Sequence, residues 1–164
     1  QIQLWYSPNE STQDEGSQFF HLDYADIKQF KVFIMLDDID KNAGPLTFIT
    51  SKDSKIISDE INYKLSNTEI RVPDEAIEKY VSKENWIQAI GKKGQILYID
   101  TCRCMHFGSR NGKMPRRILM IQYSTPFSFT LPLNYKGNTY LSELFLNKGD
   151  VLSLSDDKKL LIGL

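Results

Sequence analysis

A mainly β chain folded as a double-sheet roll with a few helices is what this sequence predicts. Three observations carry that reading. Short runs rich in β-branched and aromatic residues recur, such as Lys31-Val32-Phe33-Ile34-Met35-Leu36 and the stretch from Gln95 to Met105. Gly, Pro, Asn and Asp clusters bound these runs as turn signals. Helical spacing of apolar residues is confined to one middle section, residues 51–90. Many short strands with turns between them and few helices point to a roll of two sheets.

Gln1-Ile2-Gln3-Leu4-Trp5-Tyr6 alternates polar and apolar residues and stops at Ser7-Pro8-Asn9, a strand followed by a turn. Asn9 to Gly16 is polar and acidic and reads as a surface loop. Gln18 to Asp23 resumes extended structure, and its period of two puts His21 and Asp23 on one side. Lys31 to Leu36 is a continuous apolar run, as a strand inside a barrel or sandwich requires. The segment Asp37 to Pro45 is an acidic turn closed by Gly44-Pro45, and Leu46 to Thr50 returns as a strand.

From Ser54 the period changes. Ile57, Ile61 and Leu65 recur at helical spacing, as do Ile77 and Val81, with Asp74 placed to cap the second helix. Residues 51–90 therefore read as a helical insertion or lid over the sheet. Gly91-Lys92-Lys93-Gly94 then turns the chain into a strand running from Gln95 to Met105. A Gly/Ser/Asn-rich loop follows at Phe107 to Pro115. Arg117 to Tyr123 and Phe127 to Leu131 read as strands, and Lys148-Gly149-Asp150 as a turn in the tail.

A chain of 164 residues is one domain's worth. Twenty basic against twenty-one acidic residues leave a net charge of -1, which gives no basic patch for nucleic acid. The apolar runs are too short to span a bilayer, and no signal-peptide pattern opens the chain. Cys102 and Cys104 lie one residue apart, too close on one strand face to bridge, so they read as free thiols of a reducing, cytoplasmic compartment. Opening on Gln1 in strand-like sequence, the chain reads as a piece truncated at its N-terminus.

Only two histidines occur, His21 and His106. Adjacent strand residues point apart, and the one-residue spacing in His21-Leu22-Asp23 lets both side chains reach one metal. With His106 they compose the 2-His-1-carboxylate set that holds Fe(II) on one face and leaves positions open opposite. An arginine of the Arg116-Arg117 pair would hold the far carboxylate of a 2-oxo acid through a bidentate pair. Cys102, Cys104 and His106 share a face in this reading, but a structural zinc needs four ligands and no second pair exists. The run Asp37-Asp38-Ile39-Asp40 lacks the Gly and distal Glu of a calcium loop.

Four ordered blocks carry a family resemblance: Phe20-His21-Leu22-Asp23, Lys31 to Asp38, Asn42-Ala43-Gly44-Pro45-Leu46, and Asp100 to His106 followed by Arg116 to Tyr123. Together they span residues 18–123, about two thirds of the chain, and resemble the phytanoyl-CoA dioxygenase family. The resemblance implies a double-stranded β-helix (a cupin-like jelly roll) that uses Fe(II), 2-oxoglutarate and O₂. It implies His21, Asp23 and His106 as iron ligands and catalytic centre. Family spacing sets the cosubstrate arginine eleven positions beyond the distal histidine, at Arg117, with Arg116 second. It also brings Phe33, Gln3 and Tyr6 to the cosubstrate pocket. Relatives commonly carry serine two positions after the distal histidine; here Gly108 stands there and Ser109 follows.

The expected function is a dioxygenase that hydroxylates a small molecule and releases succinate and CO₂. Asp23 favours hydroxylation over halogenation, because related halogenases have a small residue in its place. The alternative is a non-oxygenase cupin-type protein that keeps the scaffold and binds a metal or a small molecule.

Overall fold

The computed structural model describes residues 1–8, 16–23, 26, 28–63 and 71–124. The expected strand at Phe127 to Leu131, the turn at Lys148-Gly149-Asp150 and the helical position of Leu65 lie outside the described residues.

Among the described residues seven strands and two α-helices follow in order: β1 (Ile2–Ser7), β2 (Gln29–Met35), β3 (Thr47–Phe48), α1 (Ser51–Glu60), α2 (Asp74–Glu78), β4 (Ile87–Gln88), β5 (Ile96–Ile99), β6 (His106–Phe107) and β7 (Arg116–Ser124). They form two antiparallel sheets, one ordered β1-β7-β2-β5 and one ordered β4-β3-β6. This is the mainly β, two-sheet architecture with few helices that the sequence predicts.

The central pair of the larger sheet, β2 and β7, carries apolar residues on both faces, and on the outer face Phe30 and Tyr123 are exposed. Register decides which side chains enter the roll. Phe33 lies opposite Met120 and Met35 opposite Ile118, and these four pack with Ile39, Leu46 and Ile99 into one core cluster. Gln29 and Lys31 share the inner face of β2 with them by strand alternation and are buried. On β1, Gln3 pairs with Met120, Trp5 with Ile118 and Ser7 with Arg116, so odd residues face inward. Ile2, Leu4 and Tyr6 face outward and are exposed.

A second cluster lies between the smaller sheet and the middle section: Phe20, Ile49, Ile57, Val72, Ile77, Met105 and Phe107. Thr50 starts α1 by accepting the Asp53 N–H at 3.1 Å and donating its hydroxyl to the Asp53 carboxylate at 2.6 Å. Ile57 anchors the helix with no exposure, while Ile61 at the next helical position stands at the surface. Asp74 is the first residue of α2, not its cap. Pro73 occupies the cap without a side-chain bond, and Asp74 turns to Arg110. The section 51–90 is also not wholly helical, since β4 belongs to the smaller sheet.

The expected strand from Gln95 to Met105 is broken. β5 ends at Ile99, and the Asp100 carboxylate accepts the Cys102 N–H at 3.0 Å while its carbonyl accepts Cys104 N–H at 2.9 Å. That aspartate-led turn, and not a strand face, carries Cys102 and Cys104. Both cysteines are free thiols. Gly44 closes the Asp40 to Gly44 turn with φ of 59°, and a Cβ there would stand 2.6 Å from Ser109 Oγ. Glycine is required at this position.

Ile57→Ala is expected to cost about 2–5 kcal/mol, because a fully buried side chain leaves a cavity between helix and sheet. The exposed neighbour Ile56 changed to alanine should stay within about 0.5 kcal/mol. Urea unfolding midpoints of the two variants measure the difference.

Candidate metal centre

His21 and His106 face each other through two reciprocal backbone hydrogen bonds, His21 N–H to His106 carbonyl and the reverse, each 3.0 Å. Neither needs a long strand. His21 is an isolated antiparallel bridge on β6, and Phe20 continues the row to Val72. Residues directly opposite in such a pair point to the same side, and the two imidazole rings lie 4.5 Å apart between centroids.

Each Nδ1 meets the carbonyl two residues earlier: His21 that of Phe19 at 2.8 Å, His106 that of Cys104 at 3.0 Å. A carbonyl only accepts, so Nδ1 carries the proton and Nε2 keeps its lone pair. Both Nε2 atoms point at one oxygen, Asp23 Oδ1, at 3.7 and 3.8 Å. Asp23 is fixed from behind, its N–H donating to the Thr101 carbonyl at 3.0 Å. One ligand atom from each of the three residues lies within 4.8 Å of the others. The His-x-Asp triplet thus brings both side chains to one point, as its spacing predicts, although it forms bridges and not a continuous strand.

The second oxygen of Asp23 is occupied. Lys31 Nζ stands 2.5 Å from Oδ2, and Gln29 Nε2 donates to the same oxygen at 2.9 Å while reaching Thr101 Oγ1 at 2.8 Å. The carboxylate is divided, with Oδ1 left for a cation and Oδ2 held by the protein.

Electrostatics agree with a cation site. Burial, together with the neighbouring His106, lowers the His21 pKa to about 4, and burial lowers that of His106 as well. Both rings are neutral at neutral pH, the form that binds metal. For Asp23, burial opposes ionisation, but the charge His106 carries once protonated and the Lys31 ammonium outweigh it and hold the carboxyl well below its usual range. Burial pushes the Cys102 thiol up to about 12, and its Sγ donates to the Asp26 carbonyl at 2.9 Å. Among the described residues the group that could hold a metal ion is His21, Asp23 and His106, and it includes neither cysteine.

The two arginines exchange their expected places. Arg117 faces outward: its side chain is 57 % exposed and pairs with Asp37 through Nη2 at 2.6 Å and Nε at 3.0 Å. Arg116 enters the roll on the face of Ile118 and Met120 and is 4 % exposed. Its Nε is buried without a hydrogen-bond partner, and among the described residues no carboxylate pairs with it. Burial alone lowers its pKa to about 10. The expectation for Arg117 is corrected by strand parity, since alternation sends only one of two adjacent side chains inward.

Tyr6 is corrected for the same reason. It lies opposite Arg117 on the outer face and is 64 % exposed. Gln3 faces inward, where its Oε1 accepts the Trp5 indole N–H at 2.8 Å. Phe33 is in the core cluster and tilted against Trp5 at 5.8 Å. Ser109 stands behind the Gly44 turn. A cavity of about 600 Å³ touches none of the triad: Thr47, Gln88 and Phe107 line it, the face of the smaller sheet opposite His106.

Sequence reasoning passed over four supports. Lys31 and Gln29 sit at the start of an apolar run, where period two from Phe33 would have turned them inward. Ser54 of α1 accepts the Met105 N–H at 2.8 Å just before His106. The Tyr63 hydroxyl accepts the Leu22 N–H at 3.1 Å inside the triplet.

No family model matches the chain, and no curated protein matches it. Solved structures do. EvdMO1 superposes with a TM-score of 0.50 at 16% identity, over 76% of this chain and 26% of that one. SnoK, a non-heme α-ketoglutarate dependent carbocyclase from nogalamycin biosynthesis, gives 0.49 at 12% over 94% and 55%. EctD from S. alaskensis gives 0.47 at 17% over 76% and 44%. The likeness to EvdMO1 is one of fold, and the two antiparallel sheets make that fold a mainly β, cupin-like roll. The chain spans between about a quarter and just over half of these structures. Among the described residues no helix is long and apolar enough to cross a membrane.

Metal-free protein is expected to lose stability as pH falls from about 6.5 toward 4. The unfolded His21 protonates near its ordinary 6.5 while the folded one resists until about 4, so the unfolded state binds more protons in that window. His106 acts in the same direction. Urea midpoints at pH 7.5 and 5 measure it, and equal midpoints would contradict the buried, neutral pair.

Proposed function

We propose that this chain forms the core of an Fe(II)- and 2-oxoglutarate-dependent oxygenase that hydroxylates a small molecule, with release of succinate and CO₂. One observation carries the reading. A convergent Nε2, Nε2, Oδ1 donor set lies in the same roll as a buried guanidinium that has no carboxylate partner among the described residues. An unpaired buried cation is costly, and a ligand carboxylate relieves that cost.

The donor set fits a divalent ion. Both imidazoles are held in the tautomer that frees Nε2, and one carboxylate oxygen is turned to meet them. His21, Asp23 and His106 would hold Fe(II), which when bound activates O₂ with the electrons of the oxo acid. Arg116, in place of Arg117, would take the far carboxylate of 2-oxoglutarate. Phe33, Met35, Ile118 and Met120 line the inner face between the Lys31 end and Arg116. These side chains would cover the methylenes of the acid and exclude water from the oxidising centre. Gln3 faces the same interior. Its contact with Trp5 would fix that ring beside Phe33.

Full-length chain with Fe(II), ascorbate and 2-oxoglutarate should form succinate, and His21→Ala or Asp23→Ala should abolish it. Arg116→Met is expected to raise KM for 2-oxoglutarate about thirtyfold or more, with Arg117→Met near wild type. The opposite order of the two arginines would refute the Arg116 assignment. No succinate, and no visible charge-transfer band with Fe(II) and 2-oxoglutarate under anaerobic conditions, would favour a binding module on the same scaffold.

A further inference from the structure

We propose that Lys31 is a built-in counter-cation of Asp23 that shares the carboxylate with the bound metal and weakens the site's hold on it. The inference rests on the metal reading above. It concerns a residue that reading does not use.

The geometry is specific. Lys31 is on the inner face of β2, buried, with Nζ 2.5 Å from Asp23 Oδ2 and 5.9 Å from the Trp5 ring. Four carbons of stem are confined to place one charge behind the ligand oxygen. Gln29 already donates to Oδ2, so a hydrogen bond alone does not require an ammonium there.

Two consequences follow from one charge. In the metal-free protein the ammonium balances a buried carboxylate that would otherwise stand uncompensated. With a dication at Oδ1, the same ammonium lies on the other oxygen of one carboxylate, and like charges at that separation repel in a poorly solvated interior. Lys31 therefore stabilises the empty site and opposes the filled one. It also keeps Oδ2 engaged, which would leave Oδ1 as the oxygen offered to a metal. It is a positioning residue.

The test is Mn(II) binding to the full-length chain, read from the EPR signal of free Mn(II), alongside thermal unfolding with and without the ion. Lys31→Met removes charge and donor, and Lys31→Gln removes charge and retains a donor for Oδ2. Both variants are expected to bind Mn(II) about tenfold or more tightly than wild type, while the metal-free Lys31→Met unfolds at lower temperature. A merely structural lysine predicts the reverse, weaker binding once its support is lost. Unchanged or weaker Mn(II) binding in Lys31→Gln overturns the proposal and leaves the metal site standing. Absence of Mn(II) binding in wild type overturns both.

Discussion

The reciprocal pair of backbone hydrogen bonds between His21 and His106 is the constraint on which the site depends. It joins residues 85 positions apart at the edge of the smaller sheet, directly opposite each other, so both side chains must leave the sheet on the same side. Each imidazole then repeats one local device, an Nδ1–H donated to the carbonyl two residues earlier. Orientation and tautomer are therefore set by backbone alone. Asp23, two residues beyond His21, follows once Thr101 accepts its N–H. A donor set made this way is fixed before any ion would arrive, which is the arrangement that costs least to fill.

The supports come from elements far apart in sequence. Ser54 brings α1 to Met105, and Tyr63 brings the end of the same helical section to Leu22. The described residues of the middle section buttress the two histidines. Its apolar residues close a cluster with Phe20, Met105 and Phe107, the neighbours of the two histidines. Its β4 completes the sheet that carries His106. Loosening this cluster would disturb the centre without touching a ligand.

Much of this was legible in the residues, and what was not has physical reasons. The apolar run beginning at Lys31 announces a covered strand, and β2 occupies it. The His-x-Asp spacing announces a shared face, and the two side chains converge. Arg116 and Arg117 were not separable, because β7 carries apolar residues on both faces. Ile118 and Met120 match one parity, Leu119 and Ile121 the other, and nothing in the pattern marks which faces the core. Only the register with Phe33 and Met35 decides it. The run from Gln95 to Met105 misled because strand propensity continued through Thr101 and Cys102, while the Asp100 turn that breaks it depends on one side-chain oxygen.

The interior cations Lys31 and Arg116 differ in one respect that sorts their roles. Lys31 has its counter-charge within the chain, on the oxygen of Asp23 that faces away from the imidazoles. Arg116 has none among the described residues, and burial alone depresses its pKa, to about 10. A buried cation with a partner is balanced within the chain; one without a partner leaves its desolvation cost unmet. Apolar side chains of β2 and β7 separate the two along the inner face. In the proposed reading a ligand's far carboxylate would meet Arg116 and its methylenes these apolar side chains, while Lys31 stays with Asp23. In that reading the proposed substrate would enter against what is left of the inner face.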